Sequence, residues 1–196
     1  MSKGRLEAFS DGVIAIIITI MVLELKVPAG GTLEALRPLL STFLTYAMSF
    51  VFVGIYWNNH HHLLHATTRI NGGVLWANLH LLFWLSLTPF VTGWMGENHF
   101  QPLPVAVYGV VLLMSAIAYF ILVRAIYAAE GPGSKLQAAL GSDLKGKISG
   151  LVYLVAIPLA FQHPRMALGL VAFVSVIWIT PTVGIKPREE HPPNSP

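Results

Sequence analysis

The sequence predicts an all-α, polytopic membrane protein with six transmembrane helices in a chain of 196 residues. Hydrophobic residues make up 55% of the chain and charged residues only 11%, whereas soluble domains carry roughly 25% charged residues. So small a polar fraction cannot cover a water-soluble globule. The hydrophobic residues also cluster into six segments that approach the length of a membrane-spanning helix, about 20 residues.

Turn-forming and polar stretches separate the six predicted spans. Pro28-Ala29-Gly30-Gly31 ends the first span, Gly72-Gly73 precedes the third, and a polar connection over 130–147 follows the fourth. The second span is longer than a membrane requires, and the fifth is short and broken by Pro158. Thr88-Pro89 predicts a kink near the end of the third. The predicted spans are 6–27, 36–67, 74–95, 105–129, 148–161 and 166–183.

The domain organisation follows from these spans. Residues 1–185 form one transmembrane domain, and the proline-rich segment 186–196 is expected to be a disordered cytoplasmic tail. The first apolar run is interpreted as a retained span and not a signal peptide, because Glu7 and Asp11 interrupt its basic start.

The distribution of cations predicts the orientation. With six spans both termini lie on one side, and that side carries nine of the twelve Lys and Arg residues. By the positive-inside rule both termini are therefore cytoplasmic. The opposite side carries only Lys26, Arg37 and Arg165.

Several classes of site are excluded or disfavoured. The absence of cysteine rules out disulfides and thiolate metal ligands, and no basic, aromatic surface for nucleic acid is present. His61 and His65 have the spacing of a metal-binding pair, but no acidic residue or cysteine lies nearby to complete the shell. We therefore expect no metal, no cofactor and no enzymatic activity.

The first span combines polar ends with an apolar centre. Asp11 lies about one turn into the membrane, so its carboxylate needs a protein partner, which could be Arg5, Ser10 or a polar group of another helix. Ser10 and Asp11 could equally satisfy the start of the helix. A stripe at helical spacing follows, but in a membrane periodicity does not distinguish pore-lining from lipid-facing residues. The stripe comprises Gly12, Ile16, Thr19, Ile20 and Leu23.

Polar residues of three spans are predicted to meet at one depth, at the cytoplasmic end. The second span ends in an amide- and histidine-rich stretch, and the third span, which starts from the same side, carries Asn78. A hydrogen-bonded cluster there would satisfy buried polar groups. Its members would come from Arg5, Ser10, Asp11, Trp57, Asn58, His61, His62 and Asn78.

These motifs carry a family resemblance. Arg5-x-x-x-Phe9-Ser10-Asp11 resembles the signature of the transmembrane protein 175 family of lysosomal and prokaryotic potassium channels, and Trp57-x-x-His60-His61, Asn78 and Thr88-Pro89 fit the same pattern. The resemblance covers spans one to three; the later spans agree only in number and hydropathy. The sequence lacks the T-V-G-Y-G selectivity filter of other potassium channels, as the family does.

The resemblance implies a single-repeat prokaryotic channel in the plasma membrane, a homotetramer whose first helices line a central pore for K⁺. It implies a constriction formed by Ile16, Ile20 and Leu23, with a hydroxyl layer at Thr19. It also implies a polar network that holds the pore helix, formed by Arg5, Phe9, Ser10, Asp11, Trp57, His61 and Asn78. With three histidines in succession, His60 or His62 could take the place of His61. The alternatives are a secondary transporter, a membrane enzyme built on the histidines, and a non-conducting sensor or scaffold.

Overall fold

The structure, a computed structural model, describes residues 2–131 and 144–179, and the regular elements of these ranges are all helical. Two short 3₁₀ segments accompany the helices: Met21–Glu24 follows the first helix, and Arg37–Leu39 lies between the second and the third. The helices are α1 (Lys3–Ile20), α2 (Leu33–Leu36), α3 (Leu40–Ala66), α4 (Gly72–Ser86), α5 (Thr88–Glu97), α6 (Pro102–Glu130), α7 (Leu144–Ala160) and α8 (Pro164–Ile179).

These helices confirm the all-α prediction, and the bundle fits six helices per chain. Four segments are long and apolar enough to cross a membrane: Lys3–Glu24, Leu33–Ala66, Gly72–Glu97 and Pro102–Glu130. The remaining two, α7 and α8, are shorter, with 17 and 16 described residues. The predicted end of the sixth span at 183 and the predicted tail over 186–196 lie outside the described residues.

The fifth span differs from its prediction at both ends. It already includes Leu144, the first residue described after the gap and within the stretch assigned to a polar connection. Lys145 donates from its amine to the Ile177 carbonyl oxygen at 2.9 Å. Pro158 does not break the helix, which continues to Ala160. A proline this close to the C-terminus of a helix still removes a hydrogen bond, but few turns remain to be disrupted.

The third span is interrupted where the sequence predicts a kink. Leu87 separates α4 from α5, and Pro89 occupies the first turn of α5, where its missing N–H costs nothing. Thr92 places its Oγ1 2.6 Å from the Thr88 carbonyl oxygen, inside the new helix. The two halves of the third span, α4 and α5, can therefore pack against different helices.

The helices form one bundle with α1 at its side. α1 packs on α3, α4 and α5; α6 packs on α4, α5 and α7; and α8 packs on α7 and touches α3 and α6. The short connection between α3 and α4 is fastened to the end of α6, because Glu130 Oε1 accepts from the Thr68 and Arg69 backbone N–H groups at 2.5 and 2.9 Å. These helix ends therefore lie on one face of the bundle.

Contact between α3 and α5 depends on a glycine. A Cβ placed on Gly96 would lie 2.7 Å from the Thr42 Cα and 2.7 Å from the Thr45 Oγ1. The Thr42 atom belongs to the backbone, so it cannot move aside as a side chain would. Small residues that allow such close approach are a recurrent basis of helix packing in membranes.

Replacement of this glycine is therefore expected to be costly. Gly96→Ala should lower the free energy of unfolding by about 1–3 kcal/mol, because the added methyl forces α3 and α5 apart. Gly169→Ala is the matched control, since a Cβ on Gly169 in α8 meets nothing within 4 Å. Thermal unfolding in detergent should show a lower Tm only for Gly96→Ala; equal Tm values for both variants would contradict this packing.

Candidate pore helix and its polar anchor

Helix α1 has two unlike faces. Leu6, Ser10, Ile14 and Ile17 are buried against the neighbouring helices at spacings of three and four residues, and Met21 of the 3₁₀ turn continues the row. The opposite face is uncovered: Ile16 is 59% exposed and Leu23 77%. Phe9, Thr19 and Ile20 share that exposure.

The uncovered face carries one polar layer. Thr19 donates its hydroxyl hydrogen to the Ile16 carbonyl oxygen at 3.0 Å. This bond satisfies the donor within the helix, and the hydroxyl oxygen keeps acceptor capacity on the exposed side. The face therefore presents apolar side chains on either side of a single hydroxyl oxygen.

The buried face is held by a chain of hydrogen bonds through three helices. The Asn78 side-chain amide of α4 donates to the Ser10 Oγ of α1 at 2.9 Å. The Asn78 Oδ1 lies 2.7 Å from the His60 Nε2 of α3. Because an amide oxygen only accepts, His60 donates from Nε2. All three side chains are at most 1% exposed.

A second, exposed contact lies beside this chain. Trp57 of α3 donates its indole N–H to the Asp11 Oδ1 at 3.1 Å, and this is the partner that the carboxylate requires. His61 stacks on Trp57 with ring centroids 6.1 Å apart, and His65 stacks on His61 at 6.2 Å. The predicted meeting of polar residues from α1, α3 and α4 is thus observed.

Of the three successive histidines, His60 is the one bonded to Asn78. Residue 60 continues the buried row of α3, while His61, named in the predicted network, turns outward. Arg5 and Phe9 lie on the exposed side of α1, and Asp11 bonds to Trp57 instead of Arg5. Asn58 and His62 are also exposed.

The structure, and not the spacing in the sequence, identifies the buried histidine. The buried side of α3 carries Ser49, Val53, His60 and Leu64, whereas His61 is exposed. A second buried cluster was missed altogether: the Ser49 Oγ lies 2.6 Å from the Thr92 Oγ1 and 3.1 Å from the Tyr108 hydroxyl oxygen.

The far end of α1 is fixed by charge. Lys26, just after the 3₁₀ turn, lies 2.5 Å from the Glu97 carboxylate at the end of α5. That hydrogen bond, together with the negative charge of Glu97, raises the pKa of Lys26. Both ends of α1 are therefore tied to the bundle while the middle of its outer face stays bare.

No metal site forms in the described residues. Within 2–131 and 144–179, no three His, Cys, Asp or Glu side chains converge on a common point. His61 and His65 do lie parallel, with an angle of 19° between their rings. A third ligand from the described part of the chain does not reach them.

A bundle of membrane-length apolar helices with a buried polar anchor defines an integral membrane protein. Residues 5–89 match the family described as "Endosomal/lysosomal potassium channel TMEM175". A potassium channel of Chryseobacterium sp. (strain P1-3) is 56% identical over 181 residues, which is 92% of this chain and 94% of that relative. The chain belongs to the TMEM175 family.

Other relatives agree with this membership. The crystal structure of a lysosomal potassium-selective channel TMEM175 homolog from Chamaesiphon minutus superposes with a TM-score of 0.78 at 28% identity, covering 90% of this chain and 96% of that one. The human endosomal/lysosomal proton channel TMEM175 is 38% identical over 96 residues, 42% of this chain and 19% of the human protein.

The adjacent histidines provide a direct test of the anchor. His60→Ala should lower the free energy of unfolding by about 2–3 kcal/mol, because it leaves a buried cavity and strands the Asn78 carbonyl oxygen. His61→Ala removes only an exposed ring and should leave the Tm nearly unchanged. If thermal unfolding in detergent showed equal losses for the two variants, the buried hydrogen-bond chain would not hold α1.

Proposed function

We propose that the chain is one subunit of a homotetrameric, potassium-permeable channel whose pore is lined by α1. The observation that carries the proposal is the uncovered face of α1, which presents Ile16, Thr19, Ile20 and Leu23 away from its own bundle. The names of the bacterial relatives, all potassium channels, support the choice of ion.

Assembly follows from the number of such helices. Each chain supplies a single α1, and one helix cannot enclose a path for ions. Four copies arranged with their uncovered faces inward would close a central pore and leave α6, α7 and α8 toward the lipid. Passive conduction then requires no cofactor beyond the permeant K⁺ itself.

The apolar side chains of the uncovered face support a hydrophobic constriction. Rings of Ile16, Ile20 and Leu23 would gate by width and by dewetting. The Thr19 hydroxyl oxygens, facing the same side, would replace part of the hydration shell of an ion. Selectivity for K⁺ over Na⁺ should be modest, because isoleucine offers no field of carbonyl dipoles.

The polar anchor sets which residues face the axis. Each residue of a helix turns the face by about 100°, so a one-residue shift in rotation would replace Ile16 by a neighbour. The hydrogen bonds that join Ser10, Asn78 and His60 oppose that rotation. Asp11 and Trp57 add a second restraint one residue further on.

The proposed channel also has a defined orientation in the membrane. The ends of α3 and α6 and the starts of α1, α4 and α7 would lie in the cytoplasm, at the side rich in Lys and Arg. As in a bacterium, the membrane that the chain spans would be the plasma membrane. The polar anchor would then stand at the cytoplasmic mouth and the Lys26–Glu97 pair at the outer one.

Flux through reconstituted protein tests the constriction. Ile16→Asn should raise K⁺ flux into liposomes several-fold and lower the K⁺/Na⁺ ratio, because an amide wets and widens the apolar ring. Leu154→Asn is the matched control, the same loss of apolar side chain at an exposed position of α7. Leu154→Asn should conduct like the parent protein.

The result also separates the alternatives. A transporter would show saturable flux coupled to a second ion, and a sensor or scaffold would show none. If Ile16→Asn conducted like the parent, the constriction would be elsewhere. Mass measurement in detergent should give four times the chain mass of 21.4 kDa; a monomer would contradict the assembly.

A further inference from the structure

A cavity of about 250 Å³ lies between α3, α6, α7 and α8, away from α1. Its walls are dominated by apolar and aromatic side chains, among them Phe52, Phe120 and Trp178. Ile117 and Phe120 are exposed, so the cavity opens toward the outer surface of the bundle. It follows the α3 axis from Phe52 to Asn59, about 10 Å at 1.5 Å per residue.

Several polar groups of the walls are bonded to the protein itself. The Asn59 amide donates to the Ile55 carbonyl oxygen at 2.7 Å, and the Trp178 indole N–H donates to the Ser149 Oγ at 2.8 Å. Ser175 also lies within reach of the carbonyl of Val171 in its own helix, at 3.4 Å. An apolar occupant would therefore leave these hydrogen bonds intact.

Cations gather at one end of the cavity. Lys147, in the first turns of α7, lines it directly. Lys145 lies 5.9 Å from the centre of the Trp178 ring, and Arg124 lies 5.6 Å from the centre of the Phe120 ring, so both charges stand beside lining aromatic residues. Among the described residues that line the cavity, none carries a carboxylate.

We infer that this cavity binds an anionic phospholipid, with one acyl chain between the helices and the phosphate beside Lys147, Lys145 and Arg124. An apolar slot that opens sideways fits a hydrocarbon chain. The three positive charges at its end fit a phosphodiester and repel a cation. Basic pockets between transmembrane helices commonly take such head groups.

The location agrees with a leaflet surface. Lys147 stands near the start of α7 and Trp178 near the end of α8, on the bundle face where the ends of α3 and α6 also lie. Tryptophan and lysine are typical of the boundary between hydrocarbon and head groups. The inference concerns a surface remote from α1 and does not depend on ion conduction.

Native mass spectrometry of the full-length detergent-purified protein tests the inference. The protein is offered phosphatidylglycerol or phosphatidylcholine with identical acyl chains. The parent should retain one phosphatidylglycerol per chain in clear preference to phosphatidylcholine. Lys147→Ala should reduce that preference about fivefold, the effect of one cation near a charged head group, while Lys147→Arg should keep it.

Two further variants separate the site from general lipid contact. Gly150 lines the cavity and a Cβ on it meets nothing within 4 Å, so Gly150→Leu would fill the space and should abolish retention. Arg165→Ala removes an exposed cation at the opposite end of α8 and should change nothing.

Three results would overturn the inference. Equal retention of phosphatidylglycerol and phosphatidylcholine would show that the charge of the head group does not contribute to binding. If Arg165→Ala lowered the preference for phosphatidylglycerol as much as Lys147→Ala did, the lipid would be held only by nonspecific attraction to the bundle. Displacement of bound lipid by soluble glycerol phosphate at millimolar concentration would show a site for the phosphate group alone, with no contribution from the acyl chain.

Discussion

The buried hydrogen bonds from His60 through Asn78 to Ser10 are the constraint on which the position of α1 depends. In water, burial of an apolar stripe fixes the rotation of a helix. In lipid every face of α1 is apolar, and hydrophobicity distinguishes little between one rotation and another. The three polar side chains fix the rotation of α1, because each would be buried without a hydrogen-bond partner in any other rotation. Their position near one end of α1 leaves the remaining turns of its outer face free of polar contacts.

The rest of the bundle supports this arrangement. The break at Leu87 lets α4 carry Asn78 toward Ser10 while α5 turns to meet α3, where Gly96 allows close approach to Thr42. At the far end, the Lys26–Glu97 pair joins the extension of α1 to α5. α1 is thus held at both ends and on one side. The cavity between α3, α6, α7 and α8 occupies the other side of the bundle, so a lipid bound there would not compete with contacts made by α1.

Composition and length were sufficient to predict the helices, because apolar runs separated by glycine and proline leave few other structures in a membrane. The convergence of Ser10, Trp57 and Asn78 also followed from their depth along the spans. The sequence left open which of His60, His61 and His62 joins the network, because depth does not specify rotation and adjacent residues of α3 point about 100° apart. The Ser49–Thr92–Tyr108 cluster was missed because hydroxyl groups in apolar helices commonly bond to their own backbone, which hides their contacts between helices.

The central claim is that the outer face of α1 lines an aqueous pore. The chain contains no cysteine, so single cysteines can be placed along α1 and treated with a water-soluble thiol reagent during potassium flux. The account predicts that modification blocks flux in Ile16→Cys, Ile20→Cys and Leu23→Cys, and leaves Ile14→Cys and Ile17→Cys unaffected. Block that followed positions 14 and 17, or that was absent throughout α1, would contradict it.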